Sequence, residues 1–158
     1  MKLGVPKEPE GETRVGIVPS RMKKLAKAGF EVFIEAGAGH AANYHDAEYE
    51  AAGASIVSRA EALACENIVC IRFPGVDGIA AGTNLACVSD PFRHPEYVKA
   101  CMDANIRLLS MDMIPRRLSR AQSMDVNSSQ DNLAGYKAVL LGAAQVPKGI
   151  PMMTTSAG

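Results

Sequence analysis

Asn67–Phe73 reads NIVCIRF, a near-continuous apolar run rich in β-branched residues. A short strand of this kind is expected where a sheet is covered on both faces, as in a parallel sheet. Its neighbours support that reading. Upstream, SRAEALAC is a short helix opened by Ser58, with Glu61 three residues on, the signature of a capping box. Downstream, the turn-rich GVDGIAAGTN leads into a second apolar run, LACVS. The same alternation extends outward in both directions. KLGV (Lys2–Val5), EVFIE (Glu31–Glu35), ASIV and IRLLSM read as strands. SRMKKLAKAG places Met22, Leu25 and Ala26 on one helical face and stops at Gly29. DAEYEAAG is expected to start at Asp46 as N-cap and to end on Gly53; PEYVKACMDAN carries Pro95 in its first turn. Alternating strands and helices with short links predict an α/β fold: a parallel sheet flanked by helices in three layers, Rossmann-like or flavodoxin-like.

The 158 residues suffice for a domain with a core, and 47% apolar against 22% charged residues is ordinary for a globular chain. Lys plus Arg and Asp plus Glu balance at 17 each, so no basic excess points to nucleic acid. No apolar run approaches a membrane span, and Met1-Lys2 runs directly into LGVP without a secretion-signal pattern. Cys65, Cys70, Cys87 and Cys101 show no C-x-x-C spacing; they read as reduced, buried thiols, and no metal site is expected.

Four stretches carry candidate chemistry. GAGHAA (Gly37–Ala42) imitates the dinucleotide fingerprint, but Asn43, Tyr44 and His45 separate it from the next helix, so a strand-exit loop is the better reading. Lys7, Glu8, Glu10, Glu12 and Arg14 follow the first strand, where a ligand crevice or a solvated loop would each fit. His94, beside Pro95, reads as structural or solvated. The polar run SRAQSMDVNSSQDNLAGYKAV (Ser119–Val139) is denser. Arg117 and Arg120 offer planar donor forks, Gln122 and Asn127 both donors and acceptors, Asp125 acceptors, and Ser128 and Ser129 either. That mixture suits an amide group. Helix capping by Asp125 or Ser128 would use one or two of these residues, so a binding loop is expected ahead of a helix around NLAGYKAVLLGAAQV that Pro147 interrupts.

RAQSMDVNSSQDNLAGYKAV resembles the corresponding loop and helix of the NAD(H)-binding alpha component of proton-translocating nicotinamide nucleotide transhydrogenase. GVPKEPEGETRVGIVPS is similar to the start that family shares with alanine dehydrogenase, EAGAGHAANYHDAEYEAAGASIV resembles the next shared segment, and PMMTTSAG the approach to the family's Rossmann domain. The chain is thus identified as a member of the alanine dehydrogenase/transhydrogenase N-terminal domain family. By this resemblance, residues 1–146 form that domain and 147–158 begin the connection to a Rossmann domain that the chain lacks.

The resemblance implies hydride transfer from NADH to NADP+ coupled to proton translocation, with NAD(H) at this component and NADP(H) on a partner component. Arg117 would contact the nicotinamide side, with Ser119 in the same cofactor-facing loop. Asp125 and Ser128 would hold the carboxamide, and Gln122 would reach toward the second nucleotide; Gln122, Asp125 and Ser128 form the implied catalytic set. IPRRLSRAQ is one residue longer than the family pattern, so Arg116 is the alternative to Arg117. Partners would be the missing Rossmann domain and the NADP(H)-binding and membrane components, with no direct membrane insertion, and dimerisation only in the complete subunit. The location would be cytoplasmic, peripheral to the inner membrane when assembled. A non-enzymatic assembly module of the same fold and an alanine dehydrogenase fragment are the alternatives. Against the latter, Arg72 stands where that family has a proton-shuttling Lys, and His94 falls several residues late.

Overall fold

The computed structural model describes residues 1–148. Six strands form one parallel sheet: β1 (Lys2–Val5), β2 (Glu31–Glu35), β3 (Ser55–Val57), β4 (Asn67–Arg72), β5 (Asn84–Val88) and β6 (Arg107–Ser110). Their order is β3-β2-β1-β4-β5-β6, and every neighbouring pair is parallel. This is the order of a doubly wound sheet whose winding direction reverses between β1 and β4. The fold expected from sequence is therefore the fold observed.

The helices are α1 (Met22–Lys27), α2 (Asp46–Ala51), α3 (Arg59–Leu63), α4 (Pro95–Asp103) and α5 (Val126–Gln145). Strand parity separates two cores. Leu3, Val5, Val32 and Ile34 pack with Met22 of α1 and Tyr49 of α2. Gly4 points to the opposite face, toward α3, and there Ile68, Cys70, Leu85 and Cys87 pack with Leu63 of α3 and Cys101 of α4. All four cysteines are buried, as expected.

β4 departs from the expected double burial. Ile68 and Cys70 are buried, whereas Val69 and Ile71 are half-buried. The β4–β5 connection packs Val76 and Ile79 on the Ile68 and Cys70 face, whereas on the other face Val69 lies only part-buried against the core of α1 and α2.

Two helix starts differ from expectation. His45, not Asp46, is the N-cap of α2, and its N–H donates to the Glu48 carboxylate at 2.9 Å. Asp46 is drawn away to accept from the Gly37 N–H at 3.0 Å. α5 begins at Val126, ahead of NLAGYKAV, because the Asp125 carboxylate caps it by accepting from the Ser128 N–H at 3.0 Å. The Ser58–Glu61 capping box of α3 forms as read: Ser58 N–H donates to Glu61 at 2.9 Å.

The chain divides into two compact units, Met1–Ile114, which holds the sheet and α1–α4, and a second beginning at Pro115, which holds the polar run and α5. PMMTTSAG lies outside the described residues, as does all of the expected 147–158 connection except Pro147 and Lys148.

Gly4 is where β1 lets α3 approach. A Cβ there would fall inside van der Waals contact of the Ala62 carbonyl, which is backbone and cannot rotate away. Gly4→Ala should lower stability by about 2 kcal/mol or more, the range of overpacked core sites. Gly142→Ala on α5, where a Cβ meets nothing within 4 Å, should be neutral or stabilising. Urea midpoints for the two variants check both.

Candidate functional site

In an open parallel sheet, the crevice at the carboxyl ends of the strands beside the switch point is the usual place for a ligand. Here that crevice lies between the segments that leave β1 and β4. β1 pairs with β4 only through Leu3 with Asn67 and Gly4 with Ile68. Beyond Val5 the Glu8 carboxylate continues the hydrogen bonding, accepting from the Ile71 N–H at 2.6 Å and the Arg72 N–H at 2.9 Å. Burial pushes the Glu8 carboxyl above its ordinary value, and those two backbone donors pull against it.

Glu12 follows on the same segment, with a side chain only 7% exposed. It accepts from Arg14 Nε at 2.8 Å and Nη2 at 2.7 Å, and from Arg72 Nε at 2.9 Å. The Arg14 hydrogen bond, with smaller help from Arg72, holds the Glu12 carboxyl down at about 2. The charged stretch after β1 is therefore neither a simple solvated loop nor a row of free charges: Glu8, Glu12 and Arg14 are structural ties. Arg72 is fixed to Glu12.

A cavity of about 670 Å³ opens beside these groups, lined in part by Gly11, Arg72, Ser89, Arg93 and His94. Its far wall is ordered by Asp112, whose carboxylate accepts from the N–H groups of Ser89 at 3.2 Å and Asp90 at 3.0 Å. Asp90 is held in the left-handed region at φ 43°. His94 precedes α4, places Nδ1 2.9 Å from Glu96 and stacks on Tyr97, which stacks in turn on Phe73. Its position at the helix start is accounted for by these contacts.

GAGHAA is a strand-exit loop. His40–Ala42 form a single 3-10 turn, and the Gly37 N–H, which a phosphate would need, belongs to Asp46. Gly39 is required for packing: a Cβ would meet the Tyr49 ring at 2.7 Å and the Tyr44 carbonyl at 2.8 Å. Tyr49 is fully buried, donates to the Ile17 carbonyl at 2.9 Å, and has its hydroxyl pushed up to about 12, chiefly by burial.

In the second unit, the polar run folds into a 3-10 turn, Gln122–Met124, followed by Asp125 as N-cap of α5. The structure brings Asp125 and Ser128 together: Ser128 donates its N–H and its Oγ, at 3.0 and 2.6 Å, to the two carboxylate oxygens. These bonds, Ser128 Oγ first, hold the Asp125 carboxyl below its ordinary value, and Arg116 adds to the effect. Ser129 Oγ donates to the Asp125 carbonyl at 2.8 Å. Arg117, Ser119 and Gln122 are exposed, and their side chains form no hydrogen bond or ion pair among the described residues. Arg116, the alternative in the sequence reading, is the engaged arginine, with Nε 3.4 Å from Asp125 and Nη2 3.3 Å from Asp131. Sequence reasoning missed Asp112 and Asp131. Asp131 lies within the polar run but its partner Arg116 is fifteen residues back, and Asp112 serves Ser89 and Asp90 more than twenty residues away, so spacing along the chain signals neither role.

A six-stranded parallel sheet in this order, flanked by helices, defines an α/β domain of Rossmann-like fold. The signature described as "Alanine dehydrogenase/PNT, N-terminal domain" matches residues 4–134, and the chain belongs to that family. It is 43% identical to an NAD(P) transhydrogenase alpha-subunit protein of Rhodospirillum rubrum, a match covering all of this chain and 44% of that protein. The crystal structure of a transhydrogenase from Sinorhizobium meliloti superposes with TM-score 0.91 at 38% identity, over all of this chain and 48% of that one. An L-alanine dehydrogenase structure matches less closely, with TM-score 0.70 at 30% identity, over 77% of this chain and 34% of that one. The chain thus spans less than half the length of these relatives.

The Glu12 tie has a definite pH signature. A carboxyl lowered to about 2 from 4.5 binds fewer protons folded than unfolded. Its contribution is complete above about pH 4.5 and is lost as pH falls toward about 2. Glu12→Gln should cost about 1–3 kcal/mol near neutral pH, because two arginines lose their shared anionic acceptor. Urea midpoints recorded from about pH 6 down to about pH 2.5 should converge for the variant and the wild type; a constant gap would contradict the assignment.

Proposed function

We propose that this chain supplies the nicotinamide-facing loop of an NAD(P) transhydrogenase alpha subunit, serving hydride transfer from NADH to NADP+ coupled to proton translocation. The observation that carries the reading is the division of the polar loop. Asp125 and Ser128 are locked together at the start of α5, while Arg117, Ser119 and Gln122 beside them keep their hydrogen-bonding capacity. A carboxamide has one acceptor and two donors, and this set fits it: the Arg117 guanidinium donates, Gln122 does both, and Ser128 Oγ, while donating to Asp125, keeps lone pairs to accept. Asp125 itself, with a side chain 7% exposed, acts by fixing Ser128 and the turn before it.

The nicotinamide supplies the hydride chemistry when bound. The chain's residues orient the ring and shield the approach of the second nucleotide, with Gln122 on the side toward the partner component. Passage of hydride between two nicotinamides leaves no proton at the reacting carbons, so orientation and not acid–base chemistry is what the loop must provide. The occupation of Arg72 by Glu12 supports this reading over an alanine dehydrogenase, whose imine chemistry needs a group that exchanges protons.

The pyrophosphate grip and the NADP(H)-binding and membrane components lie, in this reading, outside the described residues. Among the described residues no helix is long and apolar enough to cross a membrane. The assembled location is cytoplasmic, at the surface of the inner membrane.

Residues 1–158 alone should show no saturable NADH binding by fluorescence up to about millimolar nucleotide, because among the described residues the loop has no pyrophosphate grip beside it and a nicotinamide-side contact by itself binds weakly. Tight binding would require a different site. In a chimera carrying this chain in place of the matching segment of the Rhodospirillum rubrum protein, hydride transfer should be restored. There, Asp125→Asn should slow transfer about tenfold or more while changing the NADH Kd less than about threefold. Equal loss of both would contradict an orienting role. Arg117→Ala should do more harm than Arg116→Ala.

A further inference from the structure

Adjacent arginines at the head of the polar loop have different fates. The Arg116 guanidinium reaches two carboxylates: Nε lies 3.4 Å from Asp125 Oδ2 and Nη2 lies 3.3 Å from Asp131 Oδ2. Asp125 is the N-cap of α5, and Asp131 stands more than a turn inside the helix. One guanidinium therefore ties the first residues of the loop to two successive turns of the helix that ends it. A planar fork with separate N–H directions can do this; a single ammonium cannot hold both acceptors in the same way.

Ala121 is buried within the loop, but backbone hydrogen bonding holds the loop only lightly. Between Pro115 and Asp125 its own backbone hydrogen bonds are single turns: Leu118 to Pro115, Ala121 and Gln122 to Leu118, Met124 to Ala121 and Asp125 to Gln122. α5 contains no buried residue, so packing along the helix does not set the loop's angle. Side-chain ties that close the loop on the helix include the Asp125–Ser128 cap, the Ser129 Oγ bond to the Asp125 carbonyl and the Arg116 bridge.

We infer that Arg116 is a positioning residue, clasping the polar loop to α5 through Asp125 and Asp131 and leaving Arg117 as the free guanidinium. The functional half of this inference rests on the proposed cofactor reading; the clasp itself does not. Arg116 and Asp131 are 55% and 74% exposed, so the clasp has surface strength and weakens with salt. Its effect is on order: it narrows the range of orientations the loop samples, to which a reaction governed by orientation is sensitive.

Amide hydrogen exchange on the intact chain, followed by NMR, tests the clasp without any cofactor. Arg116→Ala should speed exchange at Ala121, Gln122, Met124 and Ser128 about two- to fivefold, the effect of removing an ion pair of surface strength. Asp131→Asn should act on the same amides, and the double variant should add little to Arg116→Ala. Arg116→Lys should fall between wild type and Arg116→Ala. Amides of β1 and β4 should be unmoved in all variants, as should the loop amides in Arg117→Ala. Raising the salt concentration should speed loop exchange in the wild type and leave Arg116→Ala unchanged. Unaltered loop exchange in Arg116→Ala, additive effects with Asp131→Asn, or a response to Arg117→Ala instead would each overturn the clasp. In the chimera, Arg116→Ala should lower the hydride-transfer rate about threefold or more with NADH affinity nearly unchanged. Exchange that responds while hydride transfer does not would leave the clasp standing and overturn its role in positioning. Loss of transfer in no loop variant, Arg117→Ala and Asp125→Asn included, would instead mark failure of the cofactor reading.

Discussion

The Glu8 carboxylate takes over where β1 ends, and the architecture around the switch point depends on that substitution. β1 is the central strand, flanked by β2 and β4, yet it offers β4 only two paired residues. By accepting from the Ile71 and Arg72 N–H groups, Glu8 satisfies donors that would otherwise face a half-buried crevice unpaired. The same contact pins the chain leaving β1, so that Glu12 arrives between Arg14 and Arg72 with little conformational freedom. An acid–arginine network in this position converts what looks like a ligand-binding loop into a wall of the cavity. The cavity's cationic groups are thereby partly neutralised from within, and its opposite wall is held in the same manner by Asp112.

The second unit is organised on another principle. Its helix has apolar residues such as Leu133, Tyr136, Val139 and Leu141 exposed, and no buried side chain on the helix sets its geometry. Order at the start of the helix comes from charge and hydrogen bonding: a carboxylate that caps, a serine that returns two hydrogen bonds, and an arginine that bridges. Such an arrangement suits the orienting task proposed for the loop. It fixes a few polar groups relative to one another and leaves neighbouring side chains free to meet a ligand.

The contrast between the two enzymes of this family follows from the same physical distinction. Chemistry that makes and hydrolyses an imine needs a group that changes protonation state, and such a group must not be locked in an ion pair. Arg72 is always charged and is bound to Glu12. Hydride exchange between two nicotinamides asks for placement alone, and in the proposed reading that is the task of the loop that holds Arg117, Gln122 and Ser128.

Periodicity along the chain was enough to determine the sheet, its parallel character and its flanking helices, because β-branched runs, capping boxes and helix-stopping glycines are local signals. The Ser58–Glu61 box and the stop at Gly29 are set within a few residues and appear as read. The density of polar groups between Arg117 and Ser129 was likewise visible, and with it the family. What the sequence could not assign was which of those groups are spent on structure. Asp46 leaves its expected cap for Gly37, nine residues away; Glu8 serves Ile71 and Arg72, more than sixty residues away; Arg116 and not Arg117 finds Asp131. Those choices depend on which donors the fold leaves unpaired within about 3 Å, a distance in space that spacing along the chain does not encode.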